Sequence, residues 1–528
     1  MRLGIDFGTT RIVVAAEDRG NYPVAGFDCP DGAVREWIPP LVAVRGAARL
    51  YGWEAWAAQG LDGVTAVRSI KRALADCGPE TRMELGGQAV ALGQVLAEML
   101  GSVRASMMER STLGVKPGER LEAMLGVPAN ANSNQRFLTV EAFRGAGFEI
   151  LGLLNEPSAA SIESSHRLGE GKAGERILVY DLGGGTFDAS LVVREEECHA
   201  VLATEGIPTL GGDDFDEALA ELALELAGLS GERAGLTQNE EFLLSEECRE
   251  KKEALHPNTR RLMLDLDRVR AGWPQVAVPA ADYYERLAPL IEETLHATTD
   301  LLERAGGEHA VTLYVTGGAS ELPLVGRLLR ERFGRRVKRS AYTRAATAIG
   351  LAIQAGAQAS YRLRERFTRH FGVWREGEEG RVMVFDALFE KGVELPAAGG
   401  AALERVRRYT PAHNVGHFRY LECTHRGAGG EPTGDVTAWD EIRFPFDPAL
   451  AGRAGLAEVE VARSAGAAGQ LIEERYTADG GGAVAVRISN LTAGYSREYR
   501  LGRWALEQKT LKHPRPQRAP RRRSGSQG

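Results

Sequence analysis

A two-lobed α/β body followed by a smaller all-β domain is the architecture this 528-residue sequence predicts. Three observations predict it. Two segments repeat one design: residues 3–10 (LGIDFGTT) and 179–188 (VYDLGGGTFD) each pass from an apolar run to an Asp, then glycine, then Thr. A further β-like stretch follows each, at 12–16 and 189–193, which reads as a hairpin with a Gly-rich turn. A hairpin used twice implies two lobes with one site between them. Strand-like and helix-like runs then alternate as far as about residue 356, the pattern of α/β layering. Beyond that point short alternating runs separated by Gly, Pro and Asp indicate a sandwich.

At roughly 150 residues per domain the length corresponds to two to four domains. With 43% hydrophobic and 26% charged residues, most of it can bury a core. A net charge of −7 leaves no nucleic-acid footprint over the chain as a whole. Five scattered cysteines, Cys29, Cys77, Cys198, Cys248 and Cys423, form no Cys-x-x-Cys pair, which fits a reducing compartment without disulfides or a thiolate zinc site. Asp6 interrupts any secretory apolar core, and no stretch offers the roughly 20 apolar residues of a membrane helix. A cytoplasmic protein is expected.

In chain order, residues 121–127 read as a strand before Pro128 and 134–146 as a helix. The run 236–255 carries a capping box, Thr237 with Glu240, and a long charged helical period. Residues 311–315 read as a buried strand, whose Gly317-Gly318 turn opens a helix over 322–333. The runs 382–385, 417–423 and 484–488 read as sandwich strands. The divisions expected are 1–356, a linker at 357–370, a β-domain at 371–504 and a disordered basic tail at 505–528 that ends near Arg521-Arg522-Arg523.

A Gly-rich turn after a strand leaves backbone N–H groups open to phosphate oxygens, since no side chain blocks the approach. Thr9, Thr10 and Thr186 add hydroxyl donors, while Asp6, Asp181 and Asp188 bring carboxylates of the kind that hold hydrated Mg²⁺ beside a phosphate chain. The expected ligand is a Mg-nucleotide.

Seven stretches resemble the 70-kDa heat-shock protein (DnaK-like) chaperones, in that family's order and spacing. They are 4–10 (GIDFGTT), 70–74 (IKRAL), 126–136 (GVPANANSNQR), 155–160 (NEPSAA), 181–188 (DLGGGTFD), 210–216 (LGGDDFD) and 315–323 (VTGGASELP). The resemblance implies an actin-like (ribonuclease H-like) ATPase domain, with ATP, ADP and Mg²⁺ as ligands. It implies that Lys71 is the catalytic lysine near the γ-phosphate, that Glu156 orients the attacking water, and that Asp6, Asp181 and Asp188 organise the metal. Nucleotide contacts are implied at Gly8, Thr9, Thr10, Gly183, Gly184, Gly185, Thr186, Gly211, Gly212, Lys252, Gly317 and Gly318. Pro128 and Arg136 fall where the family relays nucleotide state to its substrate domain.

The resemblance is weakest at the base. Glu321 stands where the family has an Arg that stacks on adenine, Arg249 where it has an acid, and Glu253 where a basic residue is frequent. Loss of a guanidinium stack costs on the order of 1 kcal/mol. The linker 361–368 (YRLRERFT) is charged where the family is leucine-rich. In the β-domain, Phe371-Gly372-Val373, 388–396 (LFEKGVELP) and 473–490 keep the family's order, with Met383 and Phe418 as candidate peptide contacts and no helical lid after Trp504.

The function implied is that of an ATP-dependent chaperone. Its partners would be unfolded or extended polypeptides, a J-domain co-chaperone and a nucleotide exchange factor, without specific nucleic acid or membrane. Two alternatives are a nucleotide-dependent scaffold with little turnover and a small-molecule kinase of the same superfold.

Overall fold

The computed structural model describes residues 1–356 and 367–501, apart from 60, 62, 69, 75–76, 78–80, 130, 169–173, 196–197, 307–310, 368, 378–380, 397–399 and 481. Two sheets share one plan. In the first, Glu149–Asn155, Glu122–Val127 and Arg2–Phe7 run parallel, and Ile12–Ala16 closes the edge as the antiparallel arm of a hairpin. In the second, Val337–Arg339, Val311–Thr316 and Arg176–Leu182 run parallel. Phe187–Glu195 is the hairpin arm there, and Cys198–Ile207 extends the sheet by one antiparallel strand. The repeated motif is thus a repeated topology.

Register makes the likeness concrete. Asp6 lies opposite Val13 in the first hairpin, and Asp181 opposite Asp188 in the second. The turns close alike, Gly8 N donating to the Arg11 carbonyl at 2.9 Å and Gly183 N to the Thr186 carbonyl at 3.0 Å. Asp6 and Asp181 are equivalent positions, whereas Asp188 belongs to the second lobe alone.

Each lobe has its own core. In the first, Ile5, Phe7, Leu125 and Val127 meet Leu96, Leu100 and Phe143; in the second, Leu178, Phe187 and Leu313 meet Phe215, Leu219, Tyr283 and Ile291. Each such buried side chain contributes about 1.5–3 kcal/mol. The Ala346–Ala355 helix packs through Ala348, Leu351 and Ala352 onto Val13, Ala15 and Leu154 of the first lobe. It crosses the Glu156–Leu168 helix so closely that a Cβ on Gly350 would meet the Ala159 carbonyl oxygen.

Local signals place the helices that matter. Asn132 caps Ser133–Gly145 through a reciprocal bond with Gln135. Thr237 and Glu240 cap Gln238–Glu253 as the sequence signature requires. The helix expected from residue 322 starts at Pro323, because Gly318–Glu321 forms a separate 3₁₀ turn.

Two antiparallel four-stranded sheets form the C-terminal sandwich. One holds Val382–Phe389, His370–Gly377, Val415–Arg426 and Pro432–Pro445, the other Leu403–Tyr409, Ile472–Ala478, Val484–Asn490 and Tyr495–Leu501. Phe371, Tyr420, Trp439, Phe444, Tyr476 and Ile488 fill the space between. Within it the fully buried Glu474 pairs with Arg375 at 2.6 Å and accepts from Tyr409 and Tyr476.

Phe418 corrects an expectation. It is 5% exposed, stacked on Tyr420 and edge-on to Phe446, so it belongs to the core rather than to a peptide surface. The two-residue strand period puts Phe418 and Tyr420 on the same inward face. Met383 lies on the edge strand Val382–Phe389, 49% exposed between the exposed Val382 and Val384. Of the charged linker stretch, only Phe367 is described. It is buried, stacked on Phe389 and bonded through its backbone to Gly392 and Val393. The rest of that stretch and the 505–528 tail lie outside the described residues.

Candidate functional site

The two Gly-rich turns face each other across one cleft. A Cβ on Gly184 would collide with the Thr10 side chain of the opposite turn, and one on Gly211 would stand 2.7 Å from the Gly184–Gly185 backbone. Gly8, Thr9 and Thr10 line the cleft from the first lobe. Gly183, Gly184, Gly185, Thr186, Gly212, Gly317 and Gly318 line it from the second. Gly317 is required for two reasons. Its φ is +84°, and a Cβ there would strike the Leu182 carbonyl oxygen and the Asp181 carboxylate. The cleft is therefore floored by backbone, the surface that accepts phosphate oxygens.

Carboxylates crowd the closed end around one cation. Lys71, on the short helix Ile70–Ala73, donates to Glu156 Oε1 at 2.7 Å, and both line the cleft with Asp6, Asp181 and Asp188. Burial pushes the Asp6 carboxyl up to about 7, with the Glu156 charge adding to the rise and Lys71 opposing it. Asp181 is likewise pushed up to about 7 by burial, reinforced by Glu156. Asp188 lies well above its ordinary value, through burial first and then the Glu156 and Asp181 charges. Burial pulls the Lys71 ammonium down, but Glu156 and Asp6 outweigh it and the net shift is upward. Lys71 is therefore a firmly charged lysine among carboxylates that lack sufficient countercharge.

That shortage fits a divalent cation. Among the described residues, however, no three His, Cys, Asp or Glu side chains converge closely enough to chelate an ion directly. The donor chemistry suits Mg²⁺ that keeps its waters, held by these carboxylates through its hydration shell and by phosphate oxygens directly.

The other end of the cleft is built from ion pairs. Lys252 spans Asp216 Oδ1 at 2.7 Å and the Gly212 carbonyl at 2.6 Å, at the start of the Gly212–Leu226 helix. Burial raises Asp216 to about 7 against the pull of Lys252. Arg11, on the first turn, pairs with Glu253 at 2.6 Å, and Arg344 joins Glu253 at 3.2 Å to Glu321 at 2.7 Å. Both acids that interrupt the family pattern are therefore matched by arginines. Arg249 instead bonds Glu246 on its own helix and lies over the Trp56 ring at 4.5 Å.

Several expected residues stand elsewhere. Gly211 backs the Gly184 turn without lining the cleft. Pro128 ends the Glu122–Val127 strand. Arg136 is buried and donates to Asn155 Oδ1 at 2.6 Å, next to Glu156. At the tip of a sandwich turn, a Cβ on Gly482 would lie 3.5 Å from the Arg136 side chain. Met383 and Phe418 are both in the sandwich. Residue patterns missed Asp213, Asp216, Arg11 and Arg344 as cleft residues. Asp213 and Asp216 fall within a quoted motif, and Arg11 directly follows another. For Arg344 no sequence signal existed.

Comparison with known proteins places the chain. A sequence profile described as "Hsp70 protein" matches residues 73–365. Chaperone protein HscA of Klebsiella pneumoniae (strain 342) is 34% identical over 370 residues, covering 67% of this chain and 57% of that protein. Chaperone protein HscA of Escherichia fergusonii is 33% identical over 371 residues with the same coverage. The chain spans 57% of the length of these relatives.

Proposed function

The chain belongs to the Hsp70 protein family, and from that premise we propose that it is an ATP-hydrolysing chaperone whose sandwich holds extended or unfolded polypeptide. The observation that carries the proposal is the Lys71–Glu156 pair, set between two opposed glycine turns and ringed by Asp6, Asp181 and Asp188. Residues 1–356 act as the nucleotide-binding body, 357–370 as the linker and 371–504 as the polypeptide-binding part. A J-domain protein and an exchange factor are the proposed co-chaperones, in a cytoplasmic setting. Among the described residues no helix is long and apolar enough to cross a membrane.

In this reading the turn amides and the Thr10 and Thr186 hydroxyls hold the phosphate chain. Mg²⁺, when bound, neutralises phosphate charge, and Asp6, Asp181 and Asp188 hold its waters. Lys71 faces the terminal phosphate and stabilises charge there, while Glu156 accepts from Lys71 and orients a water. The water oxygen bonds to the γ-phosphorus as the bond to the bridging oxygen breaks, releasing ADP and phosphate. Positioning and charge are sufficient for such a transfer. Asn155 and Arg136 supply a packed route from Glu156 to the Gly482 turn, which supports coupling between site and sandwich.

Single-turnover ATP hydrolysis by the full chain, with and without an apolar peptide, tests the proposal. Acceleration by saturating peptide is expected. Hydrolysis indifferent to peptide overturns the chaperone role in favour of a nucleotide-dependent binding module, and phosphate transfer to an added metabolite instead of water identifies a kinase.

A further inference from the structure

The sandwich is open along one side, between its edge strands Pro432–Pro445 and Tyr495–Leu501. Tyr499 ties the two edges there, its hydroxyl donating to the Arg443 carbonyl at 3.3 Å. The chain that follows the first edge, residues 446–471, includes 3₁₀ turns at Pro448–Leu450 and Leu456–Glu458. A bay of about 790 Å³ is left on this side, lined by Glu441 and Arg443 from one edge, Arg497 and Tyr499 from the other, and residues 452–457 (GRAGLA) from the loop. Sites for small molecules have this size, about 300–1,000 Å³.

The charge of the bay is unbalanced. Other arginines of the sandwich end on acids, as Arg375 does on Glu474 and Arg407 on Asp386. Arg443, Arg453 and Arg497 all line the bay, and among the described residues none of the three forms an ion pair with a carboxylate. The half-buried Arg443 and Arg497 are held by loop carbonyls instead. Arg443 Nη1 donates to Leu456 at 3.3 Å and to Val459 at 2.7 Å, and Arg497 Nη2 donates to Ala451 at 2.9 Å. Such anchoring fixes each guanidinium and leaves it further N–H donors for a ligand. The acid in the lining, Glu441, is bonded to His417. The loop adds donors of its own. The main-chain N–H groups of Gly452, Ala454 and Gly455 bond to no backbone carbonyl of the described residues, and Gly455 takes the left-handed conformation, φ +74° and ψ +41°. Short side chains beside such a turn leave its amides open to an anion.

We propose that this bay is a second ligand site of the molecule, separate from the glycine-turn cleft, and that it takes a small phosphate-bearing anion. Arg443 and Arg497 supply its two guanidinium forks, which match phosphate oxygens in pairs, and Arg453 closes on it from the exposed rim. Three cations facing one acid favour an anion of more than one charge over a monocarboxylate. Because its contacts reach both edge strands and the loop, an occupant fastens the open side of the sandwich.

Hydrogen exchange on the full chain, with inorganic pyrophosphate as the probe and sodium chloride at matched ionic strength as the control, tests this by position. Pyrophosphate protects the amides of residues 452–457, and the dose that half-protects them gives the affinity. Arg443→Gln and Arg497→Gln each weaken it about tenfold. Arg453→Gln weakens it about threefold, and the response of residues 183–186 in the cleft is the same in all three variants. Melting of each ligand-free variant is recorded as a fold check. Where Arg443→Gln or Arg497→Gln fails to fold, the exposed Arg453 decides. Absence of protection at 452–457 overturns the inference. So does protection that salt alone reproduces, that acetate at matched ionic strength equals, or that persists at the wild-type dose in the arginine variants.

Discussion

The two ends of the cleft reach order by different physics. At the Lys71 end the shape is backbone: glycines whose missing side chains are enforced by carbonyls and by the facing turn, around buried carboxylates pushed above their ordinary range. At the Arg11–Arg344 end the shape is side chain against side chain, in partly exposed ion pairs, of which Arg11–Glu253 joins the lobes. Backbone geometry tolerates little replacement, since every added atom meets a fixed neighbour. Ion pairs ask only that opposite charges meet, as Glu253 does with Arg11 and Glu321 with Arg344.

The largest expected effect sits at the Lys71 end. Lys71→Ala removes the cation paired with Glu156 among the cleft carboxylates, and single-turnover hydrolysis should fall about 100-fold or more. A loss below tenfold would show that the lysine is a support for Glu156. Next, Gly317→Ala combines a positive φ with a collision on the Leu182 carbonyl and should cost at least about 1–3 kcal/mol in urea unfolding. An unaltered midpoint would mean that the backbone there yields.

Acidity separates the two ends. Asp6 and Asp181 have folded-state values of about 7 against 3.8 for the ordinary group, so the folded ligand-free protein holds more protons than the unfolded chain across that window. Its stability should therefore rise as pH falls from 8 toward 5, and Asp188→Asn should raise stability at pH 8 by removing one of the repelling charges. Glu253 moves the other way. Burial pushes it up, but Arg11 and Arg344 outweigh that and leave it below its ordinary value, so Glu253 keeps its pairs until pH drops below the usual glutamate range. Thermal unfolding between pH 5 and 8 checks this, and a midpoint that falls steadily on acidification would contradict it. The smallest effect belongs to Glu321→Gln. A partly exposed pair with Arg344 should contribute no more than about 1 kcal/mol and fade in high salt.

What the sequence disclosed follows the same division. Hairpins, capping boxes and glycine turns are local, so LGIDFGTT, DLGGGTFD and the Thr237–Glu240 box announced their structures directly. The Arg344–Glu321 and Arg11–Glu253 partnerships were hidden because they join residues 23 and 242 positions apart, with nothing local to mark them. Phe418 misled for a related reason. A single apolar residue in a strand does not say which face is inward until its register with Tyr420 and Phe446 is known.

The central claim is that opposed glycine turns, Lys71 and a ring of aspartates together hold a magnesium nucleoside triphosphate. Titration of Mg-ATP into the purified full-length chain by calorimetry tests it most directly. Saturable uptake at one site per chain, with Mg²⁺ required, is the predicted result; an absence of binding up to millimolar ATP would contradict it.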